Sequence, residues 1–127
     1  TQSGGVAAID TTDLAVESGY AAAESAIGAE ACDFDYANGR FYIAADGAAS
    51  STLYSVTAAG AAVSLKTIAS SAWTMPFVRV NGTGLLIVAD RSSAAPGVFI
   101  LDTASDTFTT ADAIPTGLPP SDIEIIQ

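Results

Sequence analysis

The sequence predicts an all-β protein built from four-stranded antiparallel units of about 44 residues. Apolar and polar residues alternate with period two, the pattern of half-buried strands. Asn-Gly pairs at 38–39 and 81–82 are a strong hairpin signal, because both turn positions favour positive φ. These landmarks recur along the 127-residue chain, and four short strands with a period in the forties are typical of β-propeller blades.

The landmarks divide each unit into strands a to d. Strand a is predicted at 34–36, 77–80 and 123–126, and strand b at 41–45 and 85–89, with Leu85–Asp90 repeating Phe41–Asp46. Strand c is predicted at 6–9, 53–56 and 98–101, and strand d at 14–17, 62–68 and 107–110. The stretch 20–31 is read as a long strand-and-loop connection with room for one helical turn.

This strand order lacks one strand of three complete units, so we expect about three repeats that are incomplete at both ends. The chain is read as one propeller-like domain or propeller fragment, with units at about 1–32, 33–76, 77–121 and 122–127. Unpaired assembly edges are expected at both ends, formed by Val6, Ala7, Ala8 and Ile9 and by Ile123, Glu124, Ile125 and Ile126. Two interpretations stay open: the chain is a portion of a longer propeller, or a neighbouring copy or another subunit completes its edges.

Composition excludes several classes of function. Fourteen acidic residues against four basic ones give a net charge of −10, which repels phosphate backbones and anionic lipid, so no nucleic-acid partner is expected. The absence of histidine removes the usual general base and the commonest metal ligand. No run reaches the roughly 20 apolar residues that span a bilayer, so no membrane insertion is expected. We expect no catalytic residue, no cofactor and no metal.

Several side chains have the chemical groups for binding or catalysis. Asp33 and Asp35 share one face of a strand beside Glu30; such carboxylates can bind Ca²⁺ or act as acid and base, but the spacing fits no calcium loop, and a solvent-exposed strand face is favoured. The lone Cys32 cannot form an internal disulfide and is expected to be buried. Four aspartates at strand ends are expected to bond turn amides: Asp10, Asp46, Asp90 and Asp102.

Two further features concern the surface. Asn81-Gly82-Thr83 is an N-glycosylation sequon in a predicted turn, so Asn81 is a candidate for glycan attachment if the protein is exported. Four large side chains are expected to pack between units rather than to line a binding surface: Tyr20, Trp73, Met75 and Phe77.

The runs 41–46, 98–107 and 113–123 resemble surface-layer β-propellers of the YVTN type. Those repeats pair a Tyr-Val-x-Asn/Asp strand with a Val-Ile-Asp-Thr-x-Thr strand and an Ile-Pro-x-Gly-x-x-Pro loop. The match is clearest in the last third and weaker in the middle copy, where Thr57 replaces the aspartate. The resemblance implies an exported or cell-surface protein with no shared catalytic residue.

These observations predict a non-enzymatic, extracellular or cell-surface scaffold module that self-assembles into a surface layer or filament by edge-strand completion. Its expected partners are further copies of itself or the remainder of a larger propeller, with glycans as an addition. The alternative is the ligand- or protein-binding propeller portion of a larger secreted receptor or enzyme. Ordered polymers would favour the scaffold, and a soluble particle with a saturable partner would favour the binding module.

Overall fold

The computed structural model describes residues 5–23, 27, 30–47, 49–69 and 74–126. These residues form antiparallel β-sheets, none of which closes on itself, and the predicted all-β class is confirmed. Eleven strands occur in these ranges: β1 (Gly5–Ile9), β2 (Val16–Ala23), β3 (Glu30–Ala37), β4 (Arg40–Asp46), β5 (Ser50–Thr57), β6 (Ala62–Ala69), β7 (Val78–Val80), β8 (Leu85–Asp90), β9 (Gly97–Asp102), β10 (Thr107–Phe108) and β11 (Ile114–Pro115).

Sheet 1 is the meander β3-β4-β5-β6, and each strand overlaps a predicted one, although β3 and β5 begin earlier than predicted, at Glu30 and Ser50. Its first turn is the predicted Asn-Gly hairpin. Asn38 and Gly39 have φ values of 50° and 75°, and Ala37 pairs with Arg40 across the turn. Positive φ at both turn positions matches the right-handed twist of the flanking strands.

Sheet 2 contains β7, β8 and β9 in order, and its fourth place is shared by two short strands. Thr107 and Phe108 pair with one end of β9, whereas Ile114 and Pro115 pair with the other end, along the same edge. The predicted continuous strand at 107–110 is therefore wrong beyond Phe108. The chain leaves the edge at a polar turn, in which the Thr110 hydroxyl donates to a nearby carbonyl.

The second predicted Asn-Gly turn forms with a different geometry. Asn81 still belongs to the strand pair, since its amide donates to the Leu85 carbonyl at 2.8 Å. The left-handed position is taken by Gly84, with φ of 81°, instead of Gly82. This hairpin is one residue longer than the first, because Tyr36 pairs with Phe41 whereas Val80 pairs with Leu86.

The extra residue corrects the predicted alignment of the two units. Phe34 and Val78, 44 positions apart, hold equivalent places, but their strand partners Ile43 and Val88 are 45 positions apart. The expected match of Leu85–Asp90 to Phe41–Asp46 is therefore wrong by one residue. Since side chains alternate, that slip would exchange the two faces of the strand.

Sheets 1 and 2 stack through a shared apolar core. The front face of sheet 1, defined by Tyr42, Ala44 and Leu53, packs on the back face of sheet 2, with Met75 between them. The back face of sheet 2 is formed by Val78, Leu86, Val88, Phe99 and Leu101. By register, the equivalent back face of sheet 1 consists of Phe34, Phe41, Ile43, Tyr54 and Val56.

The back face of sheet 1 is only partly covered. Ile43 and Val56 pack with the buried Ile27. The separate hairpin β1-β2 lies on this side, with β2 beside β5 and β1 beside β3. Phe34 nevertheless remains 54% exposed.

The last predicted strand is wrong. Residues 121–126, which include Ile123, Glu124, Ile125 and Ile126, form no strand and pair with none of the described strands. A strand needs a neighbour for its amides and carbonyls, and the described strands offer this segment none. Its exposure still alternates, because Ile123 and Ile125 are half-buried whereas Asp122, Glu124 and Ile126 are exposed.

Replacing Gly97 by alanine should destabilise the protein. A Cβ atom at this buried position of β9 would lie 2.3 Å from the carbonyl oxygen of Ile114. Because this oxygen belongs to the backbone, it cannot relieve the clash by a side-chain rotation. We expect β11 to leave β9, with a loss of about 1–3 kcal/mol in the free energy of unfolding, measured by urea denaturation. The control Gly82→Ala lies in an exposed turn and should change stability by less than about 0.5 kcal/mol; equal effects would contradict the close approach.

Candidate functional site

The described part of the chain has no group of three or more His, Cys, Asp or Glu side chains that could hold a metal ion. No helix in these ranges is long and apolar enough to cross a membrane. The chemically distinctive features are the polar contacts between the two sheets and the edges that those contacts leave open.

Asp33 and Asp35 reach from β3 to the edge of β7. Asp33 Oδ2 accepts the amide hydrogen of Val78 at 3.0 Å, and Asp35 Oδ2 accepts that of Val80 at 2.7 Å. These two amides point away from β8, because the alternate residues of this strand make the hydrogen bonds to β8. The carboxylates therefore satisfy edge amides that have no strand partner.

Arg79 strengthens the same contact. It forms an ion pair with Asp33, and its guanidinium also donates to the Val78 carbonyl at 2.6 Å. The expectation of a solvent-exposed face at Asp33 and Asp35 is therefore wrong, since both residues are half-buried between the sheets. In sequence, a polar strand face looks the same whether it meets water or the amides of a neighbouring edge.

A second polar contact joins the turns of the two sheets. The Asn38 side-chain amide donates to Thr103 Oγ1 at 2.7 Å, and this hydroxyl donates to the Gly84 carbonyl at 2.6 Å. Thr103 is almost fully buried. The Asn-Gly turn of sheet 1 is therefore bonded to two turns of sheet 2, a role that its hairpin signal did not reveal.

Tyr42 and Arg40 both bind Asp106. The Tyr42 hydroxyl donates to Asp106 Oδ1 at 2.6 Å, and Arg40 forms an ion pair with the other carboxylate oxygen. Burial raises the pKa of the Tyr42 hydroxyl above its usual 10.0; the Asp102 charge adds to this, and Arg40 opposes it. The phenol therefore stays protonated and acts as a hydrogen-bond donor between the sheets.

Three of the four basic side chains lie in contacts between the sheets. Besides Arg40 and Arg79, Lys66 places its Nζ 4.0 Å from the centroid of the Phe99 ring on sheet 2. A cation over an aromatic face is attracted by the ring quadrupole. Only Arg91 remains exposed outside these contacts, so the outward surface of the protein is strongly acidic.

The aspartates at strand ends mostly act as predicted. Asp10, Asp90 and Asp102 each accept the backbone amide two residues further on, at 2.7, 2.7 and 2.9 Å. In the exposed Asp10, this amide hydrogen bond lowers the pKa of the carboxyl below its usual 3.8. Asp46 instead accepts the hydroxyl of Ser51. Asp10, Asp90 and Asp102 therefore cap turns.

The glycosylation candidate Asn81 lies in the exposed turn of sheet 2, and its Oδ1 accepts the Thr83 hydroxyl at 2.9 Å; attachment there stays a prediction. Met75 is fully buried between the sheets, as expected for a packing residue, and Phe77 is half-buried. Trp73 and the side chains of Tyr20, Glu30 and Cys32 lie outside the described residues.

Of the two predicted assembly edges, only the first lies in a strand of the described structure. The edge at Val6, Ala7, Ala8 and Ile9 belongs to β1, which pairs only with β2 among the described strands. Ile9 is 60% exposed, and Ile126 at the other edge is 92% exposed. The segment around Ile125 lies beside the turn 81–83, where the two form a shallow, open groove.

One end of the back face of sheet 1 is also uncovered. Phe34 and Tyr36 are 54% and 49% exposed, and both rings pack on Phe41, with centroids 6.2 and 5.0 Å away. Val78 and Val80, their equivalents in sheet 2, lie against sheet 1. The sequence alternation predicted the strand but did not distinguish this open face from a buried one.

These features define an all-β protein of stacked antiparallel sheets. No protein-family model, no curated protein and no solved structure matches the chain. Its function therefore has to be argued from its own contacts and open surfaces.

Replacing Asp35 by alanine should weaken the stacking of the two sheets. The variant leaves the half-buried Val80 amide without its acceptor, which should cost about 1–3 kcal/mol in the free energy of unfolding. Urea denaturation followed by circular dichroism measures this loss. Asp112→Ala removes the same charge from an exposed loop and should change stability by less than about 0.5 kcal/mol. Equal losses in both variants would show that charge, and not the contact, is responsible.

Stability should fall at alkaline pH because of Tyr42. Its pKa is raised by burial, so the unfolded chain loses this proton first as the pH rises past about 10. The folded state then binds more protons than the unfolded state, and the stability present below pH 10 is lost as the pH passes the raised value. Urea denaturation at pH 8 to 11 should show a steeper decline in the wild type than in Tyr42→Phe. Parallel declines would contradict this assignment.

Proposed function

We propose that the protein is a non-enzymatic structural module of the β-propeller type, exported to the cell surface or the extracellular space, that assembles with further copies of itself. In this proposal, sheets 1 and 2 are successive blades. The observation that carries the proposal is the polarity of their stacking, in which the front face of one sheet packs on the back face of the next.

Front-to-back stacking does not terminate itself. If two sheets met through the same face, both copies of that face would be buried in the pair, and no third sheet could be added through it. Here the contact uses opposite faces of the two sheets, so an identical contact can continue the stack in either direction. Such a head-to-tail contact builds a ring if its rotation closes, and a filament if it does not.

The open edges supply the means of assembly. Among the described strands, β1 has no partner on one edge, and the segment 121–126, which pairs with none of them, has the alternating pattern of a strand. A free edge and an extended segment from another chain can pair by strand addition, with main-chain hydrogen bonds providing affinity. Left uncovered, such edges are a liability that proteins usually block.

Composition and resemblance support the cellular role. The chain has no histidine and its basic residues are largely engaged between the sheets, which argues against acid–base catalysis and against binding of anionic polymers. The runs 41–46, 98–107 and 113–123 resemble surface-layer propeller repeats, a group of exported proteins. A scaffold outside the cell is consistent with both points.

The oligomeric state of the purified protein tests the proposal. Native mass spectrometry and negative-stain electron microscopy over a range of protein concentration and ionic strength should show concentration-dependent rings or filaments. Since the contacts are strand edges and packed faces, the chelator EDTA should leave them intact. A monodisperse monomer under all these conditions would overturn the proposal and favour a binding module with a saturable partner.

A further inference from the structure

We propose that Asp122 and Glu124 of one copy dock on the β3 edge of a second copy, repeating between molecules the contact that Asp33 and Asp35 make with β7. This inference rests on the proposed self-assembly and names the two surfaces that meet. Its template is the contact between sheets 1 and 2. The two halves of that contact, a pair of carboxylates and a strand edge with outward amides, recur in residues 121–126 and in β3.

The carboxylate half of this contact recurs in residues 121–126. Asp122 and Glu124 flank Ile123 as Asp33 and Asp35 flank Phe34. The two acids are exposed and so is Ile126, whereas Ile123 and Ile125 are half-buried. The segment therefore presents an outward row of two carboxylates and one apolar side chain, and the only described hydrogen bond of the Asp122 carboxylate is a local one, from the Ile123 amide.

The amide half of this contact recurs in β3. Phe34 and Tyr36 are the register equivalents of Val78 and Val80, whose outward amides bind the acids within the chain. The Tyr36 amide is bonded by Asp35 Oδ1 at 2.7 Å, so the main new hydrogen bond runs from the Phe34 amide to Asp122. Glu124 then lies beside Tyr36.

The apolar parts of the two surfaces also correspond. Ile126 follows Glu124 as Ala37 follows Asp35, and Ala37 packs against the core between the sheets. The equivalent place on the second copy is the back face of sheet 1, where the Tyr36 ring is half exposed and rests on Phe41. Docking would therefore cover Ile126, which is 92% exposed in the single chain.

Charge sets the conditions for this contact. Asp35 holds the place in sheet 1 that Arg79 holds in sheet 2, so the second copy has no guanidinium to meet Asp122. Each copy also carries a net charge of −10. Repulsion between exposed charges is screened by salt, and the association constant should therefore rise with ionic strength.

Matched alanine variants test the role of the Asp122 carboxylate. Sedimentation velocity at moderate ionic strength should show an association constant about tenfold lower for Asp122→Ala than for wild type, as expected for one charge-assisted hydrogen bond. The control Asp112→Ala removes the same charge from an exposed loop and should associate at least as well as wild type. Circular dichroism checks that both variants fold.

A cross-link independently tests whether β3 is the surface on which this segment docks. In a Cys32→Ser background, Ile126→Cys and Tyr36→Cys are prepared as separate proteins and treated with a short bismaleimide. A covalent dimer should form in the mixture and not with either protein alone.

The outcomes separate this inference from the proposed function. Oligomers that form equally well with Asp122→Ala and give no cross-link would overturn the docking and leave self-assembly standing. A protein that stays monomeric at every ionic strength would overturn both. A cross-link together with the weaker association of Asp122→Ala supports the docking.

Discussion

The requirement that an edge strand satisfy its outward amides governs this structure. β7 has a single neighbour in its sheet, and the amides of Val78 and Val80 face away from it. Two carboxylates on β3 meet them because alternate residues of both strands have the same spacing. That match sets how far along one another the two sheets lie, and the apolar faces behind the strands can then interlock in one register.

The contact between the two sheets therefore combines directional polar interactions with buried apolar side chains. Carboxylates and turn side chains, among them Asn38 and Tyr42, fix position, while residues such as Leu86 and Leu101 lose all contact with water. Burial of apolar surface is non-directional and could accept several registers. Hydrogen bonds between half-buried groups are directional and costly to leave unmade, so they select one.

The sequence patterns predicted most of the strands, but they predicted less about what each strand packs against. Alternation located β3 to β9, and Asn38-Gly39 identified a turn with the expected backbone. The one-residue shift at 81–84 was missed because the same Asn-Gly signal can place the left-handed residue at Gly84. The role of Asp33 was missed because it depends on a strand 45 residues away, and the recurrence of paired acids at 122 and 124 was the one available clue.

The placement of the basic residues has a consequence for the resistance of the protein to proteolysis. Trypsin-like proteases cut after lysine and arginine, and this chain offers them four such positions. Arg40, Lys66 and Arg79 lie within strands at the contact between the sheets, where the backbone cannot enter a protease cleft until the sheets part. Digestion of the intact fold is thereby confined to the loop at Arg91.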